Sequence, residues 1–290
     1  MIDPVVVDWQ ITSRCTRNCG FCFGPKSEPD LSHRDVRKVV NNLKNLGTRA
    51  IELTGGEPLM RPDIDEIIQY IRKLEIGLCL FTNCDLYFQH RESIIENVNV
   101  IGIPIEGPNE DIHDGLRGKE SFVAVMNALK DAHSNSEAKF QICTIVSAQN
   151  YLSLESIEHI LYPFEDRIVL WKLYELINYP QKGQNNKFKI RKKVFDKYCM
   201  PKLGKRLDKN KILFDTLKRR NRSYFLMKPN GDVFVPLLGL HPREFCVGNL
   251  LAEPQKTKEN WNRWVSPEGY AKPYRSVFRK DLELKRQFLD

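Results

Sequence analysis

Apolar runs alternate with amphipathic stretches along the first 180 residues of the chain. Between the apolar runs, hydrophobic positions recur at helical spacing, as in 31–47 and 62–74. Ser32, with Asp35 three residues later, supplies an N-cap for the first of these helices, and Gly47 ends it. The apolar runs themselves are rich in β-branched and aromatic residues and predict strands at 5–12, 50–55, 77–83, 98–107, 139–147 and 167–177.

Strands and helices in this alternating order predict right-handed crossovers and a parallel sheet. Six units before residue 178 are too few for a complete eight-stranded barrel, so the predicted fold is α/β, an open partial (β/α)6 barrel. The pattern then changes to a polar stretch at 178–187, a basic helical region and a hairpin at 224–236, with Asn230-Gly231 as its turn. We expect the partial barrel at 1–180 and, at 181–290, a C-terminal extension that caps it.

Composition and charge indicate a globular protein that neither spans a membrane nor is exported. The 290 residues are 41% hydrophobic, contain no apolar run long enough to span a membrane and begin without a signal-peptide pattern, so we expect a cytoplasmic protein without a membrane partner. The net charge of +8 is local, because 182–222 holds sixteen Lys or Arg against three Asp. Such a segment suits an anionic small molecule or an acidic peptide, or forms a solvated helical surface. Without an RNA-binding motif beside it, a nucleic-acid partner is not expected.

Three cysteines, Cys15, Cys19 and Cys22, follow the first predicted strand. Thiolates bind soft metals, and a closed zinc site or a saturated iron-sulfur cluster normally needs four ligands, so this set leaves one ligand position open. One alternative is a zinc site completed by His33. Further polar or glycine-rich motifs follow the next three predicted strands, at 54–58, 82–83 and 105–110. The C-terminal ends of parallel strands meet at one edge of a sheet, where ligands bind. The cysteines and these motifs are therefore expected to lie together.

The spacing C-x3-C-x2-C with the aromatic Phe21, followed by Gly55, Gly56, Glu57 and Pro58 after the next strand, resembles the radical S-adenosylmethionine (radical SAM) superfamily. The resemblance implies that the three thiolates bind three irons of a 4Fe-4S cluster. S-adenosylmethionine then chelates the fourth iron and is cleaved after one-electron reduction by a donor such as flavodoxin or ferredoxin. The cleavage yields methionine and a 5′-deoxyadenosyl radical.

The same resemblance implies a set of residues that bind S-adenosylmethionine. The two glycines allow close backbone approach, and the Glu57 carboxylate accepts a hydrogen bond from the methionyl amino group. Asn83, after the third strand, matches a ribose-binding position. Glu110 belongs to an adenosine-side motif in which Ile103 replaces the first Gly, and Arg117 is a candidate partner for the methionyl carboxylate. For each of these polar residues a purely structural role at a helix end or turn is the alternative.

The C-terminal segment resembles extensions that carry an auxiliary cluster on a cysteine-rich hairpin, as well as the layout of viperin-like members. Here Val235 and Pro236 occupy the end of the hairpin, and only Cys199 and Cys246 remain beyond Cys143, so we predict a single cluster. Cys246 is a candidate catalytic residue that donates a hydrogen atom to a substrate radical. The alternative is a buried small hydrophobe, the state expected for Cys79, Cys84 and Cys143.

The leading functional hypothesis is an enzyme that abstracts a hydrogen atom from a small polar substrate, such as a nucleotide or sugar derivative, for dehydration, epimerisation or rearrangement. A second hypothesis is modification of a ribosomally synthesised peptide. A third is a non-enzymatic iron-sulfur binding or regulatory protein, which would leave Glu57 and its neighbouring glycines without a purpose.

Overall fold

The computed structural model describes residues 1–22, 24, 27–177, 186–199, 203–238 and 242–271. The predicted boundary near residue 180 and most of the polar stretch at 178–187 lie outside these residues. Within them, one sheet of ten strands has the order β10-β9-β8-β1-β2-β3-β4-β5-β6-β7. Its strands are β1 (Val6–Thr12), β2 (Ala50–Gly55), β3 (Gly77–Phe81), β4 (Val100–Pro104), β5 (Lys139–Val146), β6 (Ile168–Glu175), β7 (Ile212–Asp215), β8 (Leu226–Met227), β9 (Asp232–Leu237) and β10 (Arg243–Asn249).

The six predicted strands are confirmed as β1 to β6, and each pairs in parallel with its neighbour. The predicted ends of β3 and β4 extend beyond the observed ones, because the polar and glycine residues that follow leave the sheet to form loops. The helices are α1 (His33–Asn45), α2 (Ile64–Lys73), α3 (Arg91–Asn97), α4 (Glu110–Arg117), α5 (Ser121–Asn135), α6 (Leu154–Leu161), α7 (Lys192–Val194), α8 (Leu217–Arg220), α9 (Pro254–Trp264) and α10 (Pro267–Ala271).

Helix α1 shows why these elements form where the sequence predicts them. The Ser32 hydroxyl accepts a hydrogen bond from the Asp35 backbone amide at 3.2 Å, which satisfies one of the free donors of the first turn. The side chains that α1 buries lie at positions 36, 39, 40 and 43, which is one face of a helix. Gly47 follows with a φ of 93°, a backbone conformation that favours glycine.

The C-terminal extension contributes strands to both edges of the parallel sheet. Strand β7 pairs with β6, and β8 pairs in parallel with β1 on the opposite side. The predicted hairpin forms between β8 and β9 with Gly231 at φ 86° in its turn, and β10 adds a further antiparallel strand. The sequence pattern did not predict β7 and β10 as strands. Strand β7 has only four residues and β10 is largely polar, and each is a strand because it pairs with its neighbour, β6 or β9.

The segment between β7 and β8 bridges the two edges of the sheet. Leu217 in α8 packs against Ile177, just after β6, and against Leu238, just after β9. The Arg222 amide donates a hydrogen bond to the Pro236 carbonyl at 2.9 Å, which ties the segment to β9. The open side of the partial barrel is therefore covered by residues of the extension. None of the described helices is both long and apolar enough to cross a membrane.

Candidate active site

The loop that carries the three cysteines lies directly on the backbone of the glycine motif at the end of β2. The Gly56 amide donates to the Thr12 carbonyl at 2.8 Å, and the Glu57 amide donates to the Arg14 carbonyl at 2.7 Å. A Cβ at residue 56 would lie 2.1 Å from the Arg14 carbonyl oxygen, so the contact is possible only for glycine. The close approach predicted for these glycines is thus made, in this structure, to the cysteine loop itself.

Glu57 joins the ends of two neighbouring strands. Its carboxylate is fully buried and accepts hydrogen bonds from the Leu59 amide at 3.1 Å and from the Asn83 amide at 2.6 Å. Burial raises the pKa of this carboxyl to about 7, against the opposing effect of these donors. Pro58 follows at the start of a 3₁₀ turn, Pro58–Met60. Both carboxylate oxygens therefore hold backbone amides, and the predicted contact of Glu57 with a methionyl amino group stays a prediction.

Asn83 connects the end of β3 to the cysteine loop. Its side-chain nitrogen Nδ2 donates to the Thr16 hydroxyl at 2.9 Å and lies 3.8 Å from Cys15 Sγ. Its side-chain oxygen accepts from the Asp85 amide at 3.0 Å. The structure thus brings Asn83 beside the first cysteine, where its amide orients the loop, and the predicted contact with ribose stays a prediction.

The three thiols of the cysteine loop differ in exposure and in hydrogen bonding. Cys15 is exposed, and Cys19 and Cys22 are half-buried. Backbone amides point at two of the sulfurs, Arg17 N at 3.4 Å from Cys15 Sγ and Gly24 N at 3.3 Å from Cys22 Sγ. Such hydrogen bonds favour the thiolate and tune an iron-sulfur cluster.

The arrangement of these thiols does not match a binding site for a single metal ion. Among the described residues, no three His, Cys, Asp or Glu side chains converge on one point that a single ion could occupy. The ring nitrogens of His33 instead face Asp63 at 3.2 Å and Glu66 at 3.5 Å. The alternative of a zinc site completed by His33 is therefore wrong. Three thiols on one loop that do not converge on a single point suit a polynuclear cluster better than one ion.

Arg117 lies against the cysteine loop and carries a buried ion pair. Its guanidinium donates to Glu106 Oε1 at 2.8 and 3.1 Å, and its carbonyl oxygen lies 3.7 Å from Cys19 Sγ. The guanidinium carbon is 5.5 Å from the centre of the Phe21 ring. Burial raises the pKa of the Cys19 thiol, and the positive charge of Arg117 opposes this effect. Arg117 and Phe21 are thus brought together beside the cysteines, as predicted for residues of one site.

Glu106 is the carboxylate that the sequence interpretation missed. Its second oxygen accepts from the Ile145 amide at 2.8 Å, and its own backbone amide donates to Nδ1 of the buried His113 at 3.1 Å. Burial raises the pKa of Glu106. Glu110, which was predicted for the adenosine side, is exposed in the first turn of α4. Both glutamates follow β4 within six residues, and only the fold decides which one turns inward.

A cavity of about 290 Å³ opens inside the barrel next to this ion pair. Phe21, Glu106 and Arg117 line one end of it, and Cys143 also lines it, although it was expected to belong to the core. Other charged groups reach it from the strands and from α8, namely Asp8, Glu52, Lys172, Glu175, Arg220 and Glu244. The extension supplies part of the wall through Tyr224, Leu226, Pro236, Leu238 and Glu244.

Cys246 lies on β10, which forms one edge of the described sheet, and its side chain is exposed. The β10 residue that lines the cavity is Glu244, which pairs with the buried Lys228 at 2.8 Å. The Cys246 sulfur instead lies 3.9 Å from the Gly248 carbonyl oxygen in the same strand. The structure does not bring this thiol into the described cavity lining, and its role as a hydrogen-atom donor stays a prediction.

Comparison with known proteins decides the family. Residues 9–161, which contain the end of β1, the cysteine loop, the glycine motif and strands β2 to β5, match the sequence model of the radical SAM superfamily. The chain belongs to the radical SAM superfamily. It is therefore an enzyme that uses a 4Fe-4S cluster and S-adenosylmethionine, and the hypothesis of a non-enzymatic protein is wrong.

Similar radical SAM proteins act in different ways. The chain is 29% identical over 160 residues to an AdoMet-dependent heme synthase of Methanosarcina barkeri, a match that covers 51% of this chain and 44% of the relative. It is 23% identical over 157 residues to the mycofactocin maturase MftC of Mycobacterium tuberculosis, covering 52% and 40% of the two chains. These matches span less than half the length of either relative.

A solved structure resembles the chain over nearly its whole length. Streptococcus suis SuiB bound to the precursor peptide SuiA has a TM-score of 0.67 and 15% sequence identity, with 94% of this chain and 67% of that chain covered. At this identity the likeness concerns the fold. Because 94% of this chain is covered, the likeness includes the extension as well as the radical SAM barrel, whereas the family match ends at residue 161.

Proposed function

We propose that this radical SAM enzyme abstracts a hydrogen atom from a small polar substrate that binds inside its barrel. The observation that carries the proposal is the cavity beside the cysteine loop, with a volume of about 290 Å³ and charged groups of both signs in its wall. Its size lies near the lower end of the range for ligand pockets, which suits a small substrate. Charged side chains in a cavity wall offer hydrogen bonds and charge pairing to a ligand, which supports a polar substrate.

In this proposal Cys15, Cys19 and Cys22 hold the 4Fe-4S cluster, and S-adenosylmethionine occupies the open ligand position. When bound and reduced, the pair supplies the 5′-deoxyadenosyl radical that removes hydrogen from the substrate. The electron comes from a donor such as flavodoxin or ferredoxin. The cluster-binding loop is held by its contacts with the glycine motif, and Phe21 of the loop lines the cavity.

Other residues orient the reactants and exclude water. Arg117 is held by Glu106 at 2.8 Å beside the Phe21 ring, so its charge is fixed next to the cysteine loop, where it can bind the carboxylate of the cofactor. The side-chain amide of Asn83 donates to Thr16 in the cysteine loop, and the Glu57 carboxylate holds the Asn83 backbone amide, so the two residues stabilise the loop together. The segment between β7 and β8 packs Leu217 against Ile177 and Leu238, and its Arg220 forms part of the cavity wall, so this segment would limit the access of water.

A labelling experiment tests the proposal. The reconstituted and reduced protein is incubated with S-adenosylmethionine and deuterated candidate substrates, beginning with nucleotide and sugar derivatives, and 5′-deoxyadenosine is analysed by mass spectrometry. We expect deuterium in 5′-deoxyadenosine from one small-molecule class and none when Cys15, Cys19 and Cys22 are replaced by Ala. Deuterium transfer from labelled peptide alone would overturn the small-molecule proposal.

Peptide modification is the second candidate, and one observation favours it. A solved structure that is similar over 94% of this chain is SuiB bound to the precursor peptide SuiA, and the cavity also has room for a single polar side chain. The same experiment distinguishes the two candidates, because a peptide substrate would transfer its label to 5′-deoxyadenosine and change its own mass. A small-molecule substrate would leave the added peptides unchanged.

A further inference from the structure

Arg220 is a buried cation at the end of the short helix α8. Its side chain is only 5% exposed, whereas the preceding Lys218 and Arg219 are exposed. It lines the barrel cavity, and its guanidinium carbon lies 5.3 Å from the centre of the Tyr174 ring. The basic segment of the chain therefore turns one of its charges inward while its neighbours remain in solvent.

The hydrogen bonds of Arg220 are incomplete. One terminal nitrogen donates to the Glu175 carbonyl oxygen, but the buried Nε has no hydrogen-bond partner. The nearby Glu175 carboxylate accepts from the Leu217 amide at 2.9 Å. Within the described part of the chain, Arg220 forms no ion pair with a carboxylate. A buried guanidinium with no carboxylate within ion-pair distance is unfavourable, so this position suits an anion.

The same cavity contains a second polar atom without a partner, and this one is a hydrogen-bond acceptor rather than a donor. Gln10 is 4% exposed, lines the cavity and leaves its Oε1 without a donor. Buried polar groups in proteins almost always have partners, and those that lack one are candidates for ligand contacts. A ligand that fits this cavity therefore carries an anionic group and, in addition, a hydrogen-bond donor such as a hydroxyl or amino group.

We propose that Arg220 binds an oxyanion of the substrate, a carboxylate or a phosphate, through the unpaired Nε side of its guanidinium. The proposal rests on the proposed function, since it concerns the substrate of that cavity. A planar guanidinium presents two parallel donors, which match the two oxygens of a carboxylate or phosphate. The stacked Tyr174 ring and the bond to the Glu175 carbonyl hold the group in place before the ligand binds.

Three variants isolate this contact. Arg220→Gln removes the charge, and Arg220→Lys keeps the charge and a donor for the Glu175 carbonyl but removes the paired donor geometry. Lys218→Gln is the matched control, because it removes one positive charge from an exposed position of the same helix. Far-ultraviolet circular dichroism and the urea midpoint show whether each variant folds, and Arg220→Lys keeps the test valid should Arg220→Gln fail to fold.

The reconstituted protein is titrated with sodium acetate and, separately, sodium phosphate at constant ionic strength, and the thermal unfolding midpoint is recorded. We expect a saturable rise with one probe and at least about tenfold weaker binding in both Arg220 variants, with Lys218→Gln unchanged. A response to acetate identifies a carboxylate, and a response to phosphate identifies a phosphate ester. No saturable response to either probe, or equal affinity in wild type and Arg220→Gln, would overturn the proposal.

A second arm separates substrate from cofactor, because S-adenosylmethionine also has a carboxylate. Its affinity should be the same in wild type and Arg220→Gln, and a tenfold loss would assign Arg220 to the cofactor and overturn the substrate contact. Neither arm requires hydrogen abstraction. If the probes bind through Arg220 but no small molecule transfers deuterium, the proposed function fails and the anion site stands.

Discussion

Replacing Gly56 by alanine tests whether the cysteine loop depends on the glycine motif. The added Cβ would lie 2.1 Å from the Arg14 carbonyl oxygen and 2.8 Å from the Ser13 carbonyl oxygen. These neighbours are backbone atoms, so no side-chain rotation relieves the contact. Since ordinary contacts begin at 3.4 Å, the loop or the end of β2 has to move by more than 1 Å.

The size of the effect follows from the hydrogen bonds at this contact. A displacement of this size breaks the 2.7 Å bond from the Glu57 amide to the Arg14 carbonyl and strains the 2.8 Å bond from the Gly56 amide to the Thr12 carbonyl. Each buried group left without a partner costs about 1–3 kcal/mol, so the free energy of unfolding should fall by about 2–6 kcal/mol. The thiols would also lose their common orientation, and cluster assembly should fail.

The assay combines urea denaturation of the apo protein with iron and sulfide analysis after anaerobic reconstitution. Gly115→Ala is the matched control, because it adds the same methyl group at an exposed position of α4 where, apart from the adjacent residues and the backbone of α4 itself, no atom lies within 4 Å. It should raise the free energy of unfolding by up to about 1 kcal/mol through helix propensity and leave iron content unchanged. The reasoning is refuted if Gly56→Ala retains full iron content and unfolds within about 0.5 kcal/mol of wild type.

Three further predictions follow from the site. Anaerobic reconstitution should yield about four irons per chain, and replacing Cys15, Cys19 and Cys22 by Ala should remove them, whereas about eight irons would contradict a single cluster. Burial lowers the pKa of His113 from 6.5 to about 3, so the unfolded state binds more protons between these values and stability should fall as the pH drops through this window. His113→Gln should flatten this dependence in urea denaturation measured across pH, and an unchanged slope would disprove the assignment. Cys246→Ala should still cleave S-adenosylmethionine but accumulate a stoichiometric amount of 5′-deoxyadenosine without product, and a normal rate of product formation would exclude Cys246 as hydrogen donor.

The sequence alone determined the elements whose signals are local. The buried face of α1, its Ser32 cap and Gly47 at its end are all encoded within a few residues, and the structure has them at the predicted positions. The cysteine spacing and the glycine motif were readable for the same reason. Each motif follows its own strand directly, and parallel topology brings the ends of adjacent strands to one edge.

The tertiary structure alone decided which side chains of those motifs face the cavity. Glu106 and Glu110 occupy the same short segment, yet Glu106 is fully buried against Arg117 and Glu110 remains in solvent. One oxygen of Glu57 likewise accepts the Asn83 amide from the turn after β3, a long-range contact that sequence motifs do not reveal. These outcomes depend on contacts between separate loops, so no local pattern could have predicted them.

The extension shows the same limit most clearly. Lys218, Arg219 and Arg220 are adjacent basic residues with indistinguishable sequence signals, and only Arg220 is buried, because α8 crosses from β7 to the β8–β9 hairpin and presents that one side chain to the barrel interior. The segment covers the open side of the barrel through contacts of Leu217 with residues some 20 to 40 positions away along the chain. Periodicity and capping are short-range properties of a sequence, whereas the lining of a cavity is set by long-range packing, and for this protein the packing decided where the charges of the extension meet the site.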